Sequence, residues 1–444
     1  MTQLLDQLSR SNSVKLASIG ALALLLLIPT AMIDNVIRER AQLADVARED
    51  IMNSWGRQQS LAGPILSVPY RHIVSNKHGP ARTASGVAYY LPRVATFDVQ
   101  VNSQLRYRGI YTVPVYEATI RVDAQFVAIP ANTPGLANAE FDYDRAQLIV
   151  ALDDPRTLRE TPLALVNKKE IPFEAGSAGL DRFGPHIVAP IGEMNVSGQR
   201  LTFGATLKFA GTDALRIAPV GDASEIVMTS NWANPSFQGP YLPAQRHIDD
   251  DGFEASWQIT SLGRTYPAIW VNNSVDKNVL ASSFFGVAFK AKLNTYDIAS
   301  RAVRYAILTI ALTFACFFLF EIVSALHLHP VQYLLVGFAN CLFFLLLLTL
   351  SEYIGFVGAY VLSAAASICL IGGYAAAILR ARARAAVCVA VLLTLYAFVF
   401  MTLRAQNFAL LAGSIGLWVV LGALMYFTRQ VDWHATAERH ADAA

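Results

Sequence analysis

Charged residues are scarce in this chain. Only 15% of its 444 residues are Asp, Glu, Lys or Arg, whereas 54% are hydrophobic. Because soluble globular proteins carry about 25% charged residues, the composition excludes a wholly soluble protein. The formal net charge of +2 provides no basic face for nucleic acid. Four cysteines are too few for a scaffold held together by disulfides.

The sequence motifs that usually mark catalytic sites are also missing. The chain has no P-loop, no H-E-x-x-H, no paired C-x-x-C and no G-x-S-x-G. The run Gly176-Ser177-Ala178-Gly179 is one residue short of the last pattern, and a loop is the favoured interpretation. The histidines outside the long apolar runs and their connections do not have the spacing of metal ligands. They are His72, His78, His186 and His247. The sequence therefore predicts no catalytic residue, no metal site and no cofactor.

Long apolar runs lie near both ends of the chain. A helix that spans a bilayer needs about 20 apolar residues. Runs of this kind predict six spans, at about 14–33, 303–323, 331–350, 353–379, 385–403 and 408–428. Six spans place both termini on one side of the membrane. Arg380, Arg382 and Arg384 lie between the fourth and fifth spans and predict that this side is the cytoplasm.

The first apolar run has two interpretations, a cleaved signal peptide and a retained signal anchor. The apolar core is followed by Pro29-Thr30-Ala31-Met32-Ile33, which is not a small-x-small cleavage site. The run is also long for a signal core. The sequence therefore favours a retained anchor.

The segment between the first and second spans changes from a helical to a strand pattern. Apolar residues such as Ile33, Val36, Ile37 and Leu43 follow a helical stripe, which predicts a stalk over residues 34–54. Alternating patterns from Val99, Ala118, Arg200 and Phe253 onward predict strands instead, with turn residues between them. A strand-dominated domain, most simply a sandwich, follows.

The predicted fold class is a multi-pass α-helical membrane protein with a large β-rich periplasmic domain inserted between the first and second transmembrane helices. Its divisions are an N-terminal tail and first span (1–33), the stalk (34–54), the β-rich domain (55–300), a five-helix bundle (301–428) and a cytoplasmic tail (429–444). Residues 34–300 are thus expected in the periplasm. All four cysteines (Cys316, Cys341, Cys369 and Cys388) fall in predicted spans, so the exported segment has no disulfide.

Candidate binding residues form one dense aromatic run with an arginine. They are Trp232, Phe237, Tyr241, Arg246 and Trp257. Aromatic residues and arginine dominate binding hot spots, but aromatic residues also fill the cores of β-sandwiches. The two alternatives are a ligand groove and ordinary core packing, and packing is favoured.

Two carboxylates at the ends of predicted spans form the second candidate set. Glu321 closes the second span and Glu352 opens the fourth, so they lie at opposite faces of the predicted bundle. Charges inside a bilayer are costly and often functional. A proton or ion path is one interpretation, and simple termination of each span at the headgroups is the favoured one.

A series of short segments extends along nearly the whole chain. The series is Ser54-Trp55-Gly56, Leu61–Tyr70, Asn231–Phe237, Gly239–Arg246, Gly252–Trp257, Leu312–Glu321, His329–Gly337, Leu350–Glu352, Ala409–Ser414 and Met425–Arg429. In this order the segments resemble the CreD family of bacterial inner-membrane proteins. Two positions depart from the family pattern. Gln406, Asn407 and Phe408 replace an acidic pair and a tyrosine, and Ala291–Asn294 replaces Pro-Val-Asp. Any role of the acidic pair in binding an ion or a partner is therefore in doubt here.

The resemblance implies a role in envelope integrity, colicin tolerance and the response to β-lactam stress, without a defined reaction. The first functional hypothesis is therefore a non-enzymatic envelope protein whose β domain binds an envelope polymer, lipid or protein. The alternative is a transporter or permease module that uses the C-terminal bundle. An enzyme acting on cell-wall material rests on location alone. The expected partners include the lipid bilayer and exclude nucleic acid.

Overall fold

A computed structural model describes residues 12–74, 82–128, 139–176, 184–192, 200–272, 274–289, 295–324, 328–378, 382–404 and 409–429. The chain folds as two compact units. The helical unit takes in the described residues up to Asp45 together with those from Thr295 onward, and the β unit spans Val46–Lys292.

In chain order the described helices are α1 (Asn12–Leu25), α2 (Leu27–Trp55), α3 (Lys277–Ser282), α4 (Thr295–Arg304), α5 (Ala306–Ser324), α6 (Pro330–Ile378), α7 (Arg382–Arg404) and α8 (Ala409–Thr428). All the described helices except α3 lie wholly or partly in the helical unit, and α3 lies in the β unit. Helix α4 is amphipathic. Its apolar residues, including Ile298 and Val303, are buried, while Arg304 is exposed.

Helix α6 reverses direction in its middle. Its 49 residues are interrupted at Gly355, where φ is 75° and ψ is 165°. Phe343 and Tyr360 lie on either side of this break, and their ring centroids are 5.3 Å apart. In a straight helix, residues separated by 17 positions would be about 26 Å apart. The two arms of α6 therefore fold back on each other at Gly355, a position where glycine tolerates the positive φ.

Three helices of the described chain are long and apolar enough to cross a membrane: Lys15–Trp55, Pro330–Ile378 and Arg382–Arg404. A fourth span results if Thr295–Arg304 and Ala306–Glu321, which are bent by 41°, count as one. The two arms of α6 cover the third and fourth predicted spans, and α8 covers the sixth. The total of six spans stays a prediction.

The β unit contains eighteen strands within the described residues. They are β1 (Gln59–Val74), β2 (Arg82–Tyr90), β3 (Val94–Arg108), β4 (Tyr111–Phe126), β5 (Glu140–Phe141), β6 (Gln147–Leu152), β7 (Leu163–Val166), β8 (Lys169–Pro172), β9 (Glu174–Ala175), β10 (His186–Pro190), β11 (Leu201–Thr212), β12 (Ala214–Ile217), β13 (Ala223–Ser230), β14 (Pro235–Gln238), β15 (Gln245–Ile248), β16 (Phe253–Thr260), β17 (Ile269–Val271) and β18 (Phe285–Phe289).

These strands form two sheets. The larger has the order β14-β18-β12-β1-β6-β10-β9, with β2, β5 and β17 paired beside this path. The smaller has the order β15-β16-β13-β3-β4-β11-β7-β8. Pairing is mostly antiparallel, but β1 with β12 and β3 with β13 are parallel.

The core of the β unit lies between the two sheets. Buried and exposed residues alternate along β16, as the strand period of two requires. Side chains from both sheets, such as Leu148 and Phe209, belong to one continuous apolar cluster. The two sheets therefore pack on a shared core, which is the arrangement of a β-sandwich.

Candidate functional site

Three of the five predicted binding residues meet in one aromatic cluster. The Phe237 ring lies 5.9 Å from the Trp257 ring, and the Tyr241 ring lies 5.4 Å from that of Phe285. Trp257 is buried, and its Nε1 donates to the carbonyl oxygen of Tyr241 at 3.2 Å. The Tyr241 hydroxyl donates to the carbonyl oxygen of Gly263 at 2.7 Å. The ring contacts and hydrogen bonds of these side chains are therefore made within the β unit.

The other two predicted binding residues lie apart from that cluster. Trp232 donates from Nε1 to the carbonyl oxygen of Asn234 at 3.1 Å and meets Phe289 edge-on at 6.5 Å. Arg246 lies on β15, the last strand of its sheet, and all four residues of this strand are exposed. A ligand groove formed by the whole set stays a prediction, whereas packing explains the contacts of its aromatic members.

Glu321 is buried and accepts three donors. It forms an ion pair with Lys15 of α1, whose ammonium contacts Oε1. The backbone N–H of Leu328 also donates to Oε1 at 2.9 Å, and the Tyr333 hydroxyl donates to Oε2 at 2.9 Å. Only 7% of Glu321 is exposed. This carboxylate therefore ties the first helix to the end of α5 and to the start of α6.

Glu352 belongs to a second polar group, which is formed by residues of α2, α4 and α6. The Tyr296 hydroxyl donates to its Oε1 at 3.1 Å. On the same helix as Tyr296, the Ser300 hydroxyl donates to Asp34 Oδ1 at 3.0 Å. Arg38 forms an ion pair with the same aspartate. These contacts tie α4 to α2 and to α6.

The two polar groups are separated by the thickness of a bilayer. Lys15 and Asp34 are 19 positions apart along the helical segment Lys15–Trp55, which joins α1 and α2, and Tyr333 and Glu352 are 19 positions apart along α6. At 1.5 Å per residue, each separation is about 28 Å. The hydrocarbon core of a bilayer is about 30 Å thick. The spacing of the two polar groups therefore matches the thickness of a bilayer core.

A cleft of about 850 Å³ opens beside the end of the larger sheet. Its walls are the segment 155–162, strand β9 and the start of β10. His186 lies in this wall and is 9% exposed. Its Nδ1 bonds to the carbonyl oxygen of Gly184 at 2.8 Å, while Nε2 is buried and has no hydrogen-bond partner among the described residues. Clefts of this size are typical of ligand sites.

Sequence reasoning missed the most informative members of these groups. Lys15 was visible as a cation just before the first apolar run, but nothing in the sequence indicated that it pairs with Glu321. His186 does not have metal-ligand spacing, and no other sequence pattern marks it. Its burial in the cleft follows from strand pairing between β10 and β6, which is a long-range property.

Several residues singled out from the sequence lie outside the described residues. They are His78, Ser177, Ala178, Gly179, Ala291–Asn294, Arg380, Gln406, Asn407 and Phe408. Within the described ranges, no three His, Cys, Asp or Glu side chains are grouped as metal ligands.

Comparison with known proteins gives one close relationship. The family model described as "Inner membrane protein CreD" matches residues 11–434. Inner membrane protein CreD of Escherichia coli (strain K12) is 33% identical over 428 residues, which cover 95% of this chain and 93% of that protein.

Similarity to solved structures is weak. One M1 zinc metallopeptidase structure from Deinococcus radiodurans is 9% identical, with a TM-score of 0.20 and 38% of each chain covered. A substrate-bound structure of such an enzyme from the same organism is 9% identical, with a TM-score of 0.23, and covers 76% of this chain and 93% of that one. Overlaps at these TM-scores support no inference about fold or activity.

Proposed function

Because the chain belongs to the CreD family of inner membrane proteins, we propose that it crosses the inner membrane six times with both termini in the cytoplasm. Residues 34–300 then lie in the periplasm. The two polar groups about 28 Å apart support this placement, and so does the reversal of α6 at Gly355, which gives that helix two arms. The packing of Lys15 on Glu321 supports a first helix that is retained as an anchor.

Within this arrangement, the protein supports envelope integrity and tolerance of envelope stress without catalysing a reaction. Its β unit binds an envelope component, and the helical unit anchors it. The observation that carries the binding role is the cleft of about 850 Å³, in whose wall the Nε2 of His186 has no hydrogen-bond partner among the described residues. An unsatisfied buried polar atom is costly, so such a position is favoured where a ligand supplies the partner.

The membrane carboxylates support an anchor more than a transport path. An ion path needs groups that exchange protons or ions. Glu321 is instead held by a lysine and two further donors, and Glu352 is held by Tyr296. Their contacts join helices, which is a structural role.

A permease remains the second candidate function because the bundle has a buried polar network. Asn340 is completely buried and accepts from the Tyr396 hydroxyl at 3.2 Å. The Tyr360 hydroxyl donates to the carbonyl oxygen of Tyr396 at 2.8 Å. Polar groups in the interior of a helix bundle mark substrate paths in some transporters.

Deletion of the gene tests the envelope role. We expect the deletion strain to be more sensitive to β-lactams and detergents, and a plasmid copy to restore resistance. Unchanged sensitivity of the deletion strain would refute the envelope role. The double substitution Glu321→Gln and Glu352→Gln separates the two functions, because a permease that uses these carboxylates loses its activity. Full complementation by the double variant would remove that form of the permease hypothesis.

A further inference from the structure

Two side chains of the described cleft lining, His186 and Glu174, present hydrogen-bond acceptors. A carbonyl oxygen can only accept, so the contact with Gly184 fixes the proton of the neutral His186 ring on Nδ1. Nε2 therefore carries a lone pair. Glu174 also lines the cleft, is exposed, and has no ion-pair partner among the described residues. A ligand that complements both groups must donate hydrogen bonds and carry positive charge.

The other charged groups of the cleft are already balanced. The Arg159 guanidinium pairs with Glu117 at 3.2 Å and lies 4.6 Å from the centre of the Trp55 ring. Glu160 pairs with Lys208 at 3.2 Å. Among the described lining residues, Glu174 is therefore the charge that is available to a ligand.

The remaining walls are apolar or extended backbone. Leu158, Phe173 and Ile187 contribute apolar surface to the cleft. Strand β9 lies at the end of the larger sheet and pairs with β10 on one side. Its other side has no strand neighbour in the described part of the chain. An exposed strand edge of this kind accepts an extended peptide by backbone hydrogen bonding.

Gly176 covers the Nε2 edge of the His186 ring. A Cβ at this position would lie 2.2 Å from Nε2, and the Gly176 N–H donates to the carbonyl oxygen of His186 at 3.0 Å. For Nε2 to accept a hydrogen bond from a ligand, Gly176 must therefore shift outward.

We propose that this cleft binds an extended peptide whose side chain ends in a primary ammonium group. The ammonium pairs with Glu174 and donates to Nε2 of His186, and the peptide backbone lies along β9. An aminated phospholipid headgroup offers the same ammonium but carries a phosphate, whose negative charge Glu174 repels. The proposal rests on the binding role assigned to the β unit above and specifies its ligand.

Binding to the full-length protein in detergent micelles tests the proposal by isothermal titration. The probes are the tripeptide acetyl-Ala-Lys-Ala-amide and its norleucine counterpart, which keeps the hydrocarbon chain and lacks the ammonium. We expect the lysine peptide to bind about fivefold more tightly, as an exposed ion pair allows. Glu174→Gln should reduce its affinity to that of the norleucine peptide. Glu225→Gln, an exposed carboxylate on β13, should leave the affinity unchanged.

Three results would overturn the proposal. They are equal affinity for the two peptides, full affinity in Glu174→Gln, and tighter binding of glycerophosphoethanolamine than of the lysine peptide. Absence of binding by every probe would count in the same way. Each can occur while the deletion strain still shows its envelope phenotype, so failure of the ligand assignment is distinguishable from failure of the envelope role.

Discussion

Removal of the Lys15 side-chain charge should destabilise the helical unit more than removal of the Glu321 charge. Glu321 is 7% exposed, so Lys15→Met leaves a buried carboxylate with two neutral donors. Breaking a buried pair in this way costs about 3–5 kcal/mol. Glu321→Gln leaves Lys15, which is 21% exposed and can extend toward the headgroups. That variant should therefore lose only about 1–2 kcal/mol, the usual cost of weakened hydrogen bonds to a charged group.

The measurement is reversible unfolding of the full-length protein in mixed micelles with an increasing fraction of SDS. Both single variants and the double variant form a thermodynamic cycle, and we expect a coupling energy of about 1–3 kcal/mol between the two positions. Arg382→Met serves as the control, because Arg382 is an exposed cation at the start of α7. Equal losses in the two single variants, or a coupling energy near zero, would refute the claim that this pair holds the first helix.

Three further predictions concern other contacts. Gly337→Ala should lower the free energy of unfolding by about 1–3 kcal/mol in the same SDS titration, because a Cβ there would clash with the Leu26 side chain. An unchanged unfolding midpoint would contradict this packing. Hydrogen bonds from Arg156 lower the pKa of Asp154. The stability lost in Asp154→Asn should therefore be constant above about pH 5 and shrink as the pH falls below about 4, the ordinary pKa of an aspartate. Urea unfolding at several pH values measures this loss, and a loss that grows in acid would contradict the prediction. Tyr396→Phe removes the hydrogen bond to the buried asparagine of α6 and should cost about 1 kcal/mol, with no loss expected if water replaces that contact.

Local patterns in the sequence predict several of the strands and helices. The alternating runs that begin at Val99, Ala118, Arg200 and Phe253 all lie in strands, namely β3, β4, β11 and β16. The apolar runs from Pro330 onward lie in α6, α7 and α8. In both cases the signal is the period of the apolar residues, which depends on a few neighbouring positions.

Pairings between distant parts of the chain could not be predicted in this way. The cleft depends on β10 pairing with β6 and β9, and the first helix is held by a partner 306 positions away. Neither contact leaves a trace in a single sequence. The aromatic run from Trp232 to Trp257 shows the same limit, because residue types that fill a core also form binding grooves, and only the contacts of Trp257 with Phe237 and Phe285 distinguish these uses.

The location of the β unit outside the cytoplasm is tested most directly by cysteine labelling in spheroplasts. The four native cysteines are first replaced by serine, and one new cysteine is placed at Leu262, which is 96% exposed, or at Arg382. A maleimide that does not cross the inner membrane should label Leu262→Cys at once and Arg382→Cys only after permeabilisation. Immediate labelling of Arg382→Cys together with protection of Leu262→Cys would contradict the account.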